Sequence, residues 1–404
     1  MLTVESLTHL GMGRMSDGQS LLPRVLPGEE VAVAQDGTVR IVTPSPDRVA
    51  PPCRHFKTCG GCAMQHARDD FVADWKRDIV EKALTARGLQ AEFLPVVTSP
   101  AGSRRRAKFS ARRTKKGAMV GFHARASDTL VAVPDCQLVT PTLAATLPAL
   151  EALTLLACSR KGEIDLTVTD TPVGPDVLVA TDKELTAELR IELPALANKY
   201  GFSRLVWNDE PVVTINPPVQ NFGGTSVVPP PGAFLQATKH GEAALLAAVE
   251  AATQGAARIV DLFAGCGTFT LPLAKRAEVH AVEGEAAMIT ALDRGWREGH
   301  QLRRVTSEAR DLFRRPLEPD ELRPFDAAVI DPPRAGAEAQ IATLAASEVP
   351  VIAMVSCNPV TFARDAQVLT GAGFVMGPVQ VVDQFRWSPH VELVAGFTRN
   401  VRKS

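Results

Sequence analysis

From residue 231 onward the chain alternates short apolar runs with amphipathic stretches, and that alternation constrains its fold more than any other feature. A helix over 241–253 precedes a buried-looking strand over 258–263 and a glycine-rich turn. Strands over 279–282, 327–330 and 351–355 then interleave with helices over 286–297, 337–346 and 361–369. Joining short buried strands through helices produces a parallel, doubly wound α/β sheet. Such a sheet gathers its ligands at the carboxyl ends of its strands.

The rest of the chain is punctuated differently. At 404 residues, with 45 % hydrophobic and 22 % charged content, it is too long for one typical core. Residues 1–50 hold apolar runs at 21–25, 31–33 and 39–42 between turn signals at Asp17-Gly18, Pro27-Gly28 and Asp36-Gly37, which reads as a small β module. Pro44, Pro46, Pro51 and Pro52 form a stiff connector. Over 69–88, Phe71, Trp75, Ile79 and Ala83 recur at helical spacing, with Asp69 or Asp70 placed to cap the start and Gly88 the end. Residues 92–230 give short β-rich segments such as 164–169 and 177–180, with no helical rhythm before 181–196, and are expected to form a mostly antiparallel region. Pro229-Pro230-Pro231-Gly232 then separates it from the α/β part. Three domains are expected, at 1–50, 51–230 and 231–404. No apolar stretch approaches the roughly 20 residues a membrane helix needs, and a cytoplasmic monomer with no membrane partner is expected. Seven cysteines at irregular spacing suit metal binding plus catalysis better than a disulfide framework.

The net charge of −1 conceals a basic segment. No acidic residue lies between Glu92 and Asp128, whereas Arg104, Arg105, Arg106, Lys108, Arg112, Arg113, Lys115 and Lys116 all do. Alternation with Phe109, Met119, Val120 and Phe122 around the turn Lys116-Gly117 reads as an antiparallel hairpin. A solvated face is the plain alternative. A phosphate-tracking surface is the better reading, and its binding would weaken steeply with salt.

Four constellations carry chemistry. Cys53, Cys59 and Cys62, with the distant Cys136, have the donor count of a metal centre; zinc and an iron–sulfur cluster both accept four thiolates, and spacing does not separate them. The run Asp261-Leu262-Phe263-Ala264-Gly265-Cys266-Gly267-Thr268 closes the first strand of the α/β part with a glycine turn. Glu283, at the end of the next strand, is placed to accept ribose hydroxyls. Thr270 stands where a dinucleotide fingerprint has its third glycine, which favours S-adenosylmethionine over a nicotinamide cofactor. Asp311 is placed to meet an adenine, or else simply caps a turn. Asp331-Pro332-Pro333-Arg334 follows another strand; amine methyltransferases usually put an aromatic residue where Arg334 stands, which turns the reading toward uracil. Cys357 sits after the strand 351–355 and just before Pro359 opens a helix whose N-terminus favours a thiolate. Glu392, at the start of a later apolar run, is the matching base.

Taken together these residues resemble the iron–sulfur-containing RNA 5-methyluridine methyltransferases that modify bacterial 23S ribosomal RNA. The resemblance rests on Cys53 to Cys62 with Cys136, on Phe234-Leu235-Gln236, on the Asp261, Asp331 and Ser356 to Asp365 segments, and on His390 to Glu392, all in family order. It implies a Rossmann-like S-adenosylmethionine domain behind a β-rich central domain and a shortened TRAM-like β module, too short for all of the TRAM strands. It implies a [4Fe-4S] cluster on the four cysteines and cofactor contacts from Gln236, Phe263, Thr268, Glu283, Asp311 and Asp331. Cys357 becomes the nucleophile, Glu392 the proton acceptor, and Phe234 a candidate to hold a flipped base. Thr268 and Thr238 stand where several relatives carry asparagine. Two alternatives are a transfer RNA 5-methyluridine methyltransferase, whose known members generally lack the cysteine cluster, and a non-catalytic metal-bearing RNA-binding protein, against which Cys357 and Glu392 together argue.

Overall fold

A computed structural model describes residues 1–35 and 37–399; Asp36, one of the turn residues above, and the last residues of the C-terminal region, 400–404, lie outside the described residues. Five short strands fill the N-terminal module: Leu2–Leu7, Met12–Met15, Leu21–Pro23, Glu30–Val33 and Val39–Thr43, antiparallel with Leu2–Leu7 in the middle. The first two escape a reading of apolar runs because Thr3, Glu5 and Arg14 face water while Val4 and Met15 point into a small core with Val25 and Val31. The five strands are only three to six residues long.

Helix Asp69–Thr85 has Asp69 and Asp70 in its first turn, where they favour the helix dipole, while Arg68 takes the cap position without a side-chain bond. Its buried stripe is Val72, Trp75, Lys76, Val80 and Leu84, one residue out of step with the expected Phe71, Ile79 and Ala83. The shift follows from packing on two bodies. Val72 and Trp75 join Ala63 and Met64 beside the cysteines, and Val80 and Leu84 enter the core of the C-terminal sheet.

The central region is a seven-stranded sheet running, in spatial order, Glu210–Thr214, Arg204–Trp207, Asp176–Ala180, Ile164–Thr169, Arg106–Thr114, Gly117–His123 and Leu130–Ala132. It is antiparallel apart from the pairing of Asp176–Ala180 with Arg204–Trp207. Helix Pro141–Ala157 packs on it, contrary to the expected absence of a helix there. Leu143, Leu147, Leu150 and Leu153 are buried, but Glu151 is the helix's one charged residue, so apolar side chains surround it and leave no periodic contrast. Thr140 caps it and Pro141 occupies its first turn.

The C-terminal sheet has eight strands in the order Val305–Ala309, Glu278–Glu283, Arg258–Leu262, Ala327–Ile330, Val351–Ser356, Glu392–Thr398, Val375–Asp383 and Val97–Thr98. The first five are mutually parallel. Strand order reverses between Arg258–Leu262 and Ala327–Ile330, the place where a doubly wound sheet opens a crevice. Val97–Thr98 adds to the far edge beside Val382 and Asp383. With helix Asp69–Thr85 also docked here, residues 69–98 belong by packing to this sheet although they precede the proline run at 229–231.

Candidate active site

The crevice at the carboxyl ends is built from four loops. Strand Arg258–Leu262 ends at Phe263, whose φ is 63°, and the chain turns through Gly265 and Gly267 with φ of 55° and 94°. A Cβ on Gly267 would meet Leu271 and Leu292 at 3.0 and 3.1 Å, so this glycine lets the turn pack closely against the helices Thr270–Leu273 and Ala286–Glu298. The amides of Gly265 and Glu285 each donate to the Glu283 carboxylate at 3.0 Å, fixing it at the crevice. Beneath the turn, buried Asp261 accepts from the Thr270 hydroxyl at 2.5 Å, while its other oxygen has no hydrogen-bond partner among the described residues. Burial pushes the Asp261 carboxyl up to about 7.

A cleft of about 420 Å³ brings Gln236, Phe263, Thr268, Glu283 and Asp331 together with Cys357 and Glu392. Phe234, 63 % exposed, and Arg334 stand at the same cleft. Asp311 is not among its lining residues. It accepts from the Phe313 amide at 3.0 Å and lies 3.5 Å from Arg314, the geometry of the turn cap. Phe313, which the sequence reading missed, is half exposed and tilts against Phe263 with ring centroids 5.4 Å apart.

Buried amides link the acidic groups. Gln236 Nε2 donates to Asp331 at 3.2 Å, and Gln384 Nε2 donates to Gln236 Oε1 at 2.6 Å. Gln384 also accepts from the Ala237 amide at 2.7 Å, and its side chain favours the charged form of Glu392. Gln384 was not singled out in the sequence, where nothing marks a lone glutamine. Burial raises the Glu392 carboxyl well above the usual carboxylate range, and the charge of Asp331 adds to it. Asp331 is pushed up to about 7 by burial against the pull of Gln236.

Cys357 follows strand Val351–Ser356, and Asn358 caps helix Pro359–Gly371 by accepting from the Val360 amide at 3.1 Å. The Asn358 amide donates to the Arg334 carbonyl at 2.9 Å, and Asp365 accepts from the Ala337 amide at 3.3 Å, so the loop carrying Arg334 is stitched to the helix carrying Cys357. The helix terminus does not win in the free protein. Burial first, then the charges of Glu392 and Asp331, push the thiol up to about 12 although Arg334 pulls it down.

The basic hairpin forms, but its charges divide. Arg105 is buried, pairs with Glu242 and donates to the Gln236 carbonyl at 3.0 Å, so it supports the cleft and is withdrawn from the phosphate-binding surface. Arg106 is half-buried and donates to the Gly232 carbonyl at 2.9 Å. Lys108 pairs with Asp165 at 2.7 Å, and Arg112 pairs with Glu163. Lys115 and Lys116 are exposed at the turn. Arg104 and Lys108 line a groove of about 680 Å³ with Met12, Cys62, His123, Arg125 and His390, and among the described residues no carboxylate lines it.

Cys53, Cys59, Cys62 and Cys136 line one small pocket with Phe56, Phe122, Val133 and Leu138. His55 and Arg54 pair with Asp135 at 2.7 and 2.9 Å, which brings Cys136 to the earlier three. Among the described residues no three His, Cys, Asp or Glu side chains close on a point as ligands of one ion. Cys158 and Cys266 are buried away from this pocket.

Residues 230–399 match the family model described as tRNA (Uracil-5-)-methyltransferase. An uncharacterized RNA methyltransferase of Brucella suis biovar 1 is 43 % identical over 96 % of this chain and 95 % of its own length. The 23S rRNA (uracil(1939)-C(5))-methyltransferase RlmD of Halomonas elongata is 33 % identical over 97 % of this chain and 88 % of its own. The chain belongs to the RNA uracil-5-methyltransferase family. Its fold is shared with the Pyrococcus abyssi tRNA (uracil-54, C5)-methyltransferase, solved in complex with S-adenosyl-L-homocysteine, at a TM-score of 0.74 and 22 % identity over 98 % of both chains. Among the described residues no helix is long and apolar enough to cross a membrane.

Proposed function

We propose that the chain methylates carbon 5 of a uridine in 23S ribosomal RNA with S-adenosylmethionine, Cys357 acting as nucleophile and Glu392 as base. The observation that carries this reading is their presence in one cleft with Phe234 at its mouth. The lining acids Glu283, Glu285, Asp331 and Glu392 suit a cationic sulfonium ligand, and the Asp261 oxygen without a partner lies in the same acidic surroundings. Gln236, Phe263, Thr268, Glu283 and Asp331 would hold the cofactor, with Asp311 and Phe313 near its outer end. When bound it supplies an electrophilic methyl group.

Uracil carbon 5 becomes nucleophilic once carbon 6 carries a donor. The Cys357 thiolate adds to carbon 6, carbon 5 takes the methyl group, Glu392 accepts the carbon-5 proton and the thiolate leaves. A base reaches this site only after leaving its stack, and exposed Phe234 is suited to hold it. Arg104 and Lys108 in the acid-free groove, with Arg112, Arg113, Lys115 and Lys116 on the hairpin, would bind the backbone. Ribosomal RNA is favoured by the 33 % identical relative, which spans nearly the whole chain.

The four-thiol donor set fits a [4Fe-4S] cluster. Cys53, Cys59, Cys62 and Cys136, which line one pocket, would hold it as thiolates. No step of the reaction moves an electron, so the cluster would serve as a structural or RNA-positioning element. These assignments are tested by incubating the protein with S-adenosylmethionine and unmodified ribosomal and transfer RNA and locating 5-methyluridine by mass spectrometry. Product is expected in 23S rRNA. Product confined to transfer RNA refutes the substrate, and a 5-fluorouridine RNA adduct that survives Cys357→Ala refutes the nucleophile.

A further inference from the structure

Helix Asp69–Thr85 contributes nothing to the lining of the catalytic cleft, yet its Lys76 is fully buried and reaches the connection that leads into Glu392. The ammonium donates to the Asp383 carboxylate at 2.5 Å, the His390 carbonyl at 2.7 Å and the Phe385 carbonyl at 3.2 Å. All three of its protons are thereby used, on both ends of the loop 384–391. A buried ammonium is costly, and an apolar side chain of similar size would fill the same space, so packing alone does not explain the charge. What the clamp holds is specific. Gln384, next to Asp383, donates to Gln236, Val382 on the other side of Asp383 pairs with Glu392 across the sheet, and His390 stands two residues before Glu392.

We propose that Lys76 is a positioning residue, clamping Asp383, Phe385 and His390 so that Gln384 and Glu392 are held where Glu392 accepts the carbon-5 proton. The assignment rests on the uracil chemistry proposed above. In the last step the carbon-5 to hydrogen electron pair becomes the carbon-5 to carbon-6 double bond, the carbon-6 to sulfur bond breaks, and Cys357 departs as thiolate. Addition and methyl transfer come before Glu392 acts. A displaced Glu392 therefore stalls the reaction with Cys357 still bonded to methylated RNA.

The test compares wild type, Lys76→Met and Lys76→Met/Asp383→Asn, the last removing both buried charges. Each is incubated with S-adenosylmethionine and unmodified 23S rRNA, and separately with the same RNA containing 5-fluorouridine. Adducts are read on denaturing gels. The expected result for both variants is turnover reduced about 100-fold, an adduct accumulating on ordinary RNA, a 5-fluorouridine adduct at the wild-type level, and an unchanged KM for S-adenosylmethionine. Near wild-type turnover without an adduct on ordinary RNA overturns the positioning role. Loss of the 5-fluorouridine adduct in the variants also overturns it, because Lys76 then supports the fold alone. Absence of that adduct with wild type overturns the reaction and the positioning role together.

Discussion

At the residue scale, the cleft holds groups whose resting protonation opposes their roles. Cys357 must react as a thiolate, yet burial and two neighbouring acids keep it protonated in the free protein. Glu392 must accept a proton, yet its surroundings raise its carboxyl. A cationic ligand placed among these acids would favour both charged forms. Asp331 makes the same physics measurable. Its folded value of about 7 lies above its ordinary 3.8, so the native state binds more protons than the unfolded chain between those values. Its contribution is therefore most favourable below that window and is lost as pH rises through it. Asp331→Asn should gain on wild type in melting temperature as pH rises from about 4 to about 7, in the absence of cofactor. A difference that stays flat with pH would rule out burial as the cause. The thiol and the acids were legible in the sequence; their protonation was not, because desolvation is set by what folds over them.

At the element scale, the hairpin Arg106–Thr114 and Gly117–His123 shows how a run of charge can mislead. Its sequence contains no acid, but strand Ile164–Thr169 lies alongside and brings Asp165 to Lys108, while Glu163 just before it meets Arg112. Arg105 is drawn inside altogether. RNA titrations over a range of salt should show the difference. Lys115→Ala with Lys116→Ala should weaken binding and flatten the logarithmic salt slope by about 0.7–0.9 per charge removed, whereas Lys108→Ala should do less because Asp165 already offsets its charge. Equal losses would refute the division. Helix Pro141–Ala157 was illegible for a related reason: periodicity needs a polar face, and this helix has almost none.

At the scale of the whole molecule, the cysteine pocket and the catalytic loop meet. The Trp387 carbonyl accepts from the amides of Ala63 and Met64 at 2.7 and 3.0 Å, directly after Cys62. Protein purified without air is expected to carry about four irons per chain. Cys136→Ala should lower both iron content and melting temperature, by iron assay and scanning calorimetry, since the pocket ties residues 53–62 to the central sheet. Full iron in that variant would remove Cys136 from the ligand set. The strand and helix alternation after residue 231 determined the α/β sheet and its ligand-bearing edge by itself, because a buried parallel strand writes its burial directly into a short apolar run. The residue types of the cysteine cluster, Cys357 and Glu392 were likewise determined there, since thiol and carboxylate chemistry belongs to the side chain. Only the tertiary structure decided that Lys76 reaches Asp383, that Arg105 serves Gln236, and that helix Asp69–Thr85 belongs to a sheet far along the chain. Those contacts join residues more than a hundred positions apart, and no local pattern of propensity or periodicity encodes which distant partner will neutralise a buried charge.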